Sequence, residues 1–323
     1  MRIRKWANAT LRAAWQRSAA VNLIVTRRCD LTCSYCTAYG KSADLSPQDW
    51  IKIARRIAHR FSIFTVSGGE PLLYKGLPEV INALSELGIA GLCTNARTLS
   101  ESHLQAMQGL DYLNFSIDHS GDSDASLKSA YGKLPLMAEY ARRRSFELRG
   151  TAVITSRNVN SIIGVAHELA RYHIPLNLQL VQRPGPLNAF DTPEKVAGLK
   201  ALQDELLALK RSGMAIDEPD DYIAGFVPFV EGRAAVHCMA GKAYLAIDSD
   251  GRLLPCQDTP AVGAPLHHDT TDIESALRTL PQAVPDQCRC WWNCYHRNAA
   301  WVQNPFAFVT RSLLDRQTRV TNK

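Results

Sequence analysis

No apolar stretch in the 323-residue chain reaches the roughly 18 residues that a membrane span needs, so a soluble protein is expected. The first twenty residues, MRIRKWANATLRAAWQRSAA, contain no continuous apolar core of signal-peptide length, and export is not expected. Internal repeats at solenoid periods and low-complexity tracts are both missing, which sets aside repeat architectures. A strong charge imbalance is missing too: the formal net charge is +6. The densest basic run, Arg142, Arg143 and Arg144, reads as the solvated face of a helix, because nucleic-acid binders usually pair such a run with a recognisable motif. No nucleic-acid partner is expected.

With 46% hydrophobic side chains, the chain can bury one large domain and an appendage. Its nine cysteines are an odd number, clustered at residues 29–36 and 238–294 with Cys93 alone between them. That distribution suits metal ligation in a reducing compartment better than a disulfide framework, so the cytoplasm is expected. Near the N-terminus, Ile3, Trp6, Leu11 and Trp15 form a rough helical stripe, with Arg2, Arg4, Lys5, Arg12 and Arg17 elsewhere. Two readings follow for this helix: packing on the domain, or peripheral contact with an anionic membrane or partner.

From residue 21 onward, apolar runs alternate with amphipathic stretches. Strands are expected near 21–26, 61–67, 89–95, 112–118, 148–156 and 174–182, and helices near 46–60, 76–87, 100–108, 125–143 and 158–171. Six βα units in succession predict an α/β fold, a partial (β/α)6 barrel of parallel strands or a wound sheet. In either, chemistry sits beyond the carboxyl ends of the strands. There lie the cysteine run after the first strand, SGGEP after the second, TNA after the third, and the Ser and Asp of FSID at the end of the fourth. The expected divisions are an N-terminal helix at 1–20, the barrel at 21–185, a helical connection at 186–235 and a small cysteine-rich α+β extension at 236–323.

The run CDLTCSYC places Cys29, Cys33 and Cys36 in one tight loop. Three thiolates leave one coordination position empty. On zinc a histidine or fourth cysteine normally fills it; on a 4Fe-4S cubane the fourth iron stays open to an exogenous ligand. No fourth protein ligand is offered nearby. Iron–sulfur, zinc and a redox role all remain open on spacing alone.

The CxxxCxxC loop after a first strand, with Tyr35 before the last cysteine, and GGEP at 68–71 after the second strand resemble the radical S-adenosylmethionine (SAM) superfamily. The resemblance covers roughly residues 20–185. It implies a 4Fe-4S cluster on Cys29, Cys33 and Cys36 whose open iron binds the methionine moiety of SAM, and reductive cleavage to a 5′-deoxyadenosyl radical that abstracts hydrogen from substrate. By the same resemblance Gly68, Gly69, Glu70 and Pro71 lie against the methionine, with Glu70 and the strand edge at its ammonium. Tyr35 lies near the adenine, and Asn95, Ser116 and Asp118 approach methionine or ribose. Each has a plainer alternative, Ser116 as an inward strand residue and Asp118 as a helix N-cap. Cys93 reads as a small buried hydrophobe.

Residues 238–256, CMAGKAYLAIDSDGRLLPC, carry two short strand-like pieces with Asp250-Gly251 between them, a strong two-residue hairpin signal. Downstream, QCRCWWNCYHR supplies Cys288, Cys290 and Cys294. The pattern resembles the twitch or shortened SPASM extension of the superfamily and implies by that resemblance one auxiliary Fe-S cluster, of 4Fe-4S type. Cys238, Cys256 and Cys294 fit it best, with Cys288 or Cys290 as the fourth ligand. A structural zinc knuckle is the alternative. Trp291, Trp292, Tyr295 and His296 read as packing around the centre, and His237 as incidental.

The function so implied is hydrogen abstraction from a small molecule or peptide, ending in oxidation or bond formation with the auxiliary cluster as electron acceptor. The implied electron donor is of the flavodoxin or ferredoxin type. A redox-neutral epimerase or adenosyl transfer, to a metabolite or a lipid, stays open, as does a non-catalytic Fe-S or zinc-binding interaction protein. Arg157, Gln182 and Arg183, near the ends of late strands, are candidates to meet an anionic substrate group.

Overall fold

The computed structural model describes residues 2–16, 18–38, 40–118, 128–182, 188–234, 238–284 and 290–304. In chain order the elements are α1 (Arg2–Gln16), β1 (Ala20–Thr26), α2 (Pro47–Ile57), β2 (Ile63–Gly68), α3 (Leu77–Leu87), β3 (Ile89–Thr94), α4 (Glu101–Ala106), β4 (Tyr112–Ser116), α5 (Lys128–Arg144), β5 (Glu147–Ile154), α6 (Ile162–Ala170) and β6 (Leu176–Leu180). There follow α7 (Pro193–Arg211), α8 (Asp220–Ala224), α9 (Phe226–Val230), β7 (Tyr244–Ile247), β8 (Leu253–Leu254), α10 (Ile273–Thr279) and α11 (Asn293–Gln303). Helix starts are set locally. Ser46 and Thr192 accept backbone N–H groups of Asp49 and Lys195, each followed by proline at the first helical position, while Ser100 closes a capping box with His103.

The sheet runs β6-β5-β4-β3-β2-β1-β7-β8, and every pair from β6 to β7 is parallel. Neighbours in space are neighbours in sequence from β1 to β6, so successive right-handed crossovers place the helices on one face and curve the sheet into the partial barrel. Residues alternate accordingly. On β5, Leu148, Gly150, Ala152 and Ile154 are buried, while Glu147, Arg149, Thr151 and Val153 are half-buried. The helical side is one apolar core, in which Trp50, Ile53, Ile81, Leu84, Val165 and Leu169 meet the odd-numbered residues of β1 and their equivalents.

The concave face is polar in its upper half. Ser67 donates to Asn22 at 2.7 Å, and Asn177 donates to Thr151 at 3.1 Å. Its lower half is plugged by Ala20, Ile63, Ile89, Tyr112 and Tyr244 against Ala9 of α1 and Trp301 and Val302 of α11. The N-terminal helix thus packs on the domain: Trp6 lies 6.2 Å from Trp301 between ring centroids, and Lys5 pairs with Asp111 at 2.9 Å. Leu11 and Trp15 on its outer side stay exposed. Among the described residues no helix is long and apolar enough to cross a membrane.

The cysteine-rich extension is less separate than its composition suggests. β7 adds in parallel to β1, pairing Ala20 with Tyr244 through Leu23 with Ile247, and β8 folds back antiparallel in the expected hairpin, whose loop is the three residues 249–251 inside the Asp248–Arg252 pair rather than two. Gly251 takes φ of 84° in that turn, a backbone region that a side chain would strain. All seven residues of β1 are buried, and it pairs with a strand on each edge. β2 supplies one and the extension the other.

Candidate functional site

β1 ends at Thr26, and the chain then forms the cysteine loop across the carboxyl ends of the strands. Every neighbouring element braces it. Asp30 accepts from the Asn95 amide at 2.8 Å, tying the loop to the end of β3. Tyr35 donates its hydroxyl to Asp118, just past β4, whose other oxygen accepts from Val153 N of β5 at 2.7 Å. Ser34 accepts from Asn188 beyond β6 at 3.0 Å. Arg27 forms a two-pronged ion pair with Asp248, at the end of β7, at 2.7 and 2.8 Å.

The glycine pair of GGEP fits beneath this loop because it has no side chains. A Cβ on Gly68 would stand 2.2 Å from Thr26 O, and one on Gly69 would stand 2.4 Å from Arg28 O. The close approach is used: Gly69 N donates to Thr26 O at 2.8 Å and Glu70 N to Arg28 O at 2.7 Å. The nearest neighbour of both glycines is therefore the neck of the cysteine loop itself. Pro71 is buried and opens a short 3-10 turn capped by Glu70.

Glu70 has no exposed surface. One of its carboxylate oxygens accepts from Leu72 N at 2.9 Å and Thr94 Oγ1 at 2.7 Å, the other from Asn95 N at 2.7 Å. Burial pushes its pKa up while those three donors pull it back. It joins the ends of β2 and β3. Ser116 is the exposed member of the set, at the open end of β4.

Burial pushes the Cys33 thiol up to about 11, helped by Asp118 and Cys36, and raises Cys29 beside Asp30 and Glu70. These thiols hold their protons near neutral pH until a metal displaces them. Backbone N–H groups aim at the sulfurs, from Leu31 to Cys29 and from Ala38 to Cys36, both at 3.4 Å. Among the described residues no three His, Cys, Asp or Glu side chains converge to hold a single ion. A cubane makes no such demand, since each thiolate grips its own iron. Three sulfurs on one loop, N–H donors directed at two of them and a glycine floor fit the cluster.

A cavity of ≈ 690 Å³, its open mouth included, lies beside the loop. Tyr35, Cys36 and Gly68 form one wall, the ends of β5 and β6 at Val153 and Leu180 a second, and Gln257, Asp258 and Trp292 of the extension a third. Trp292 Nε1 donates to Asp258 at 2.9 Å. Gln182 also lines the cavity, but its amide is engaged, accepting from Trp291 N and donating to Leu180 O, both at 2.5 Å. Arg157 is exposed in the turn after β5.

Below Trp292, Cys238, Cys256 and Cys290 share one apolar cluster. The sulfurs of Cys238 and Cys256 again accept backbone N–H groups, from Ala240 at 3.5 Å and Asp258 at 3.4 Å. Cys288, Arg183, His237 and the side chains of Cys294 and Tyr295 lie outside the described residues. His296 packs edge-on to Tyr222, and Cys93 faces the barrel interior within 3.7 Å of the Asn114 amide. Sequence reasoning missed Arg27, Asp30, Asn188, Asp248, Gln257 and Asp258. Only the adjacency of Arg27 and Asp30 to the first cysteine was a local signal.

Residues 23–148 match the family model described as the Radical SAM superfamily. A PqqA peptide cyclase from Ruegeria pomeroyi is 27% identical over 255 residues, covering 72% of this chain, and the chain spans 66% of that cyclase. A probable GTP 3′,8-cyclase from Methanopyrus kandleri is 28% identical over 291 residues, covering 82% of this chain and 88% of its own length. Among solved structures, anSMEcpe with bound AdoMet and a Cp18Cys peptide is similar with a TM-score of 0.63 at 14% identity, covering 93% of this chain and 99% of its own. That likeness establishes a shared fold.

Proposed function

We propose that the protein is a radical SAM enzyme acting on a peptide, with a 4Fe-4S cluster on Cys29, Cys33 and Cys36 and an auxiliary Fe-S cluster in the extension. The carrying observation is the three-cysteine loop, braced by β3, β4, β5 and β7 above the glycine pair, opening on a cavity that both barrel and extension line. When bound, the cluster supplies one electron to the sulfonium of SAM, yielding the 5′-deoxyadenosyl radical that takes a hydrogen atom from substrate.

The chain's own residues hold, orient and exclude. Tyr35 and Asp118 keep the loop over the ends of β4 and β5, Asn95 fixes Asp30, and Gly68 and Gly69 let the neck of the loop close against the end of β2. Ser116, exposed at the rim, faces the ribose side. Val153, Leu180 and Trp292 give the cavity an apolar lining that excludes water from a reactive radical. In the extension, Cys238, Cys256 and Cys294 are ligands, with Cys288 or Cys290 completing the set; Cys290 shares the apolar cluster of Cys238 and Cys256. A centre held by these cysteines would supply an acceptor for the electron left on the substrate, the chemistry of an oxidation or a bond formation. A flavodoxin or ferredoxin supplies the first electron in the cytoplasm.

The peptide reading draws on the relatives, a peptide cyclase and a structure with bound peptide. A nucleotide substrate, which the probable GTP cyclase suggests, is disfavoured by charge. Among the described lining residues Arg27 is the cation, and Asp248 already neutralises it. The test is anaerobic reconstitution with iron and sulfide, followed by SAM and a reductant. The wild type should release 5′-deoxyadenosine and Cys36→Ala none. A wild type with fully occupied clusters that releases none, with peptide or without, contradicts the proposal.

A further inference from the structure

The extension meets the neck of the cysteine loop through an ion pair, and the geometry points to Arg27 as a positioning residue for the cysteine loop with Asp248 as its anchor. This rests on the radical SAM reading. Arg27 is the first residue after β1, and its groups close the neck of the loop that carries the three cysteines. Its carbonyl accepts from Gly40 N at 2.7 Å and its N–H donates to Ser42 Oγ at 2.8 Å. Its guanidinium spans the same neck: Nη1 donates to Ala38 O at 3.4 Å, while Nε and Nη2 engage both oxygens of Asp248 at 2.7 and 2.8 Å.

Asp248 is itself fixed. It stands at the end of β7, its Oδ1 accepts from Ser249 N at 2.7 Å, and Arg27 together with that N–H holds its carboxyl below the usual range against the opposing cost of burial. Planar fork-to-fork pairing fixes direction as well as distance, which a lysine ammonium cannot do. Both side chains are largely buried, so the pair is not the exposed kind that contributes little. The consequence is that the end of β7 sets where Ala38, and hence Cys36 two residues before it, comes to rest beside Gly68. The extension thereby shapes the first cluster's site as well as holding a centre of its own.

The test uses the reconstituted full chain carrying Arg27→Lys, Asp248→Asn, Arg27→Ala, Asp248→Ala and the Arg27→Ala/Asp248→Ala double change. It reads SAM affinity and the SAM-induced change in the EPR spectrum of the reduced first cluster. Arg27→Lys and Asp248→Asn should fold normally by circular dichroism, yet bind SAM about tenfold more weakly, or about 1.4 kcal/mol, with a broadened cluster signal. The double change should be no worse than Arg27→Ala alone. Wild-type affinity and an unchanged spectrum in both conservative variants, or losses from the two alanine changes that add, would overturn the assignment. If the wild type itself shows no SAM-dependent change, it is the radical SAM reading that fails.

Discussion

At the scale of the residue, Glu70 has partners in the fold beyond the one its motif suggests. Sequence resemblance sets its carboxylate against the methionine ammonium, whereas in the fold it is fully buried and receives Leu72 N, Thr94 Oγ1 and Asn95 N. Removing it leaves three buried donors unsatisfied at roughly 1–3 kcal/mol each. Glu70→Ala should therefore cost about 3 kcal/mol or more in a denaturant titration of the apo protein. A loss below about 1 kcal/mol would show that the carboxylate is not a structural acceptor. The motif was legible in the sequence; this side chain's partners were not, because Thr94 and Asn95 become its neighbours only when β3 pairs beside β2.

At the scale of the element, strands and helices followed from local pattern, since alternation and amphipathic periodicity are properties of a few adjacent residues. The place of β7 did not. A four-residue strand carries no mark of which edge it joins, and its partner β1 lies far away in the chain. The same limit hid the buried polar group beneath α11. Asn293 at the start of that helix donates to Glu218 at 3.2 Å and to Asn177 of β6 at 3.1 Å. Burial raises Glu218 to about 7 against the pull of Arg297. A carboxyl raised in the folded state binds its proton more tightly there than when unfolded. Its contribution to stability is complete below about pH 4.5 and is lost as pH rises through about 7, up to about 3 kcal/mol. Glu218→Gln abolishes that titration. Its stability relative to wild type should improve from pH 5 to pH 8, as urea midpoints at the two pH values would show. A difference independent of pH would mean that Glu218 is ionised throughout.

At the scale of the whole molecule, the partial barrel and the extension form one continuous eight-stranded sheet. Two sets of thiols stand on it, one above the carboxyl ends of the strands and one at the plugged end of the concave face, with Trp292 belonging to the lining of both the cavity and the lower cluster. That arrangement suits a reaction in which an electron enters at one centre and leaves by the other. The sequence showed the two cysteine groups and their spacing. The wall between them is assembled from Val153, Gln182, Gln257 and Trp292, far apart in the chain, and no local pattern announces it.

Iron content tests this account most directly. After anaerobic reconstitution about eight irons per chain are expected from two cubanes, and the Cys29→Ala/Cys33→Ala/Cys36→Ala variant, still folded, should keep about four and lose every spectral response to SAM. Zinc in place of iron in the wild type, or loss of all iron from the folded triple variant, would contradict it.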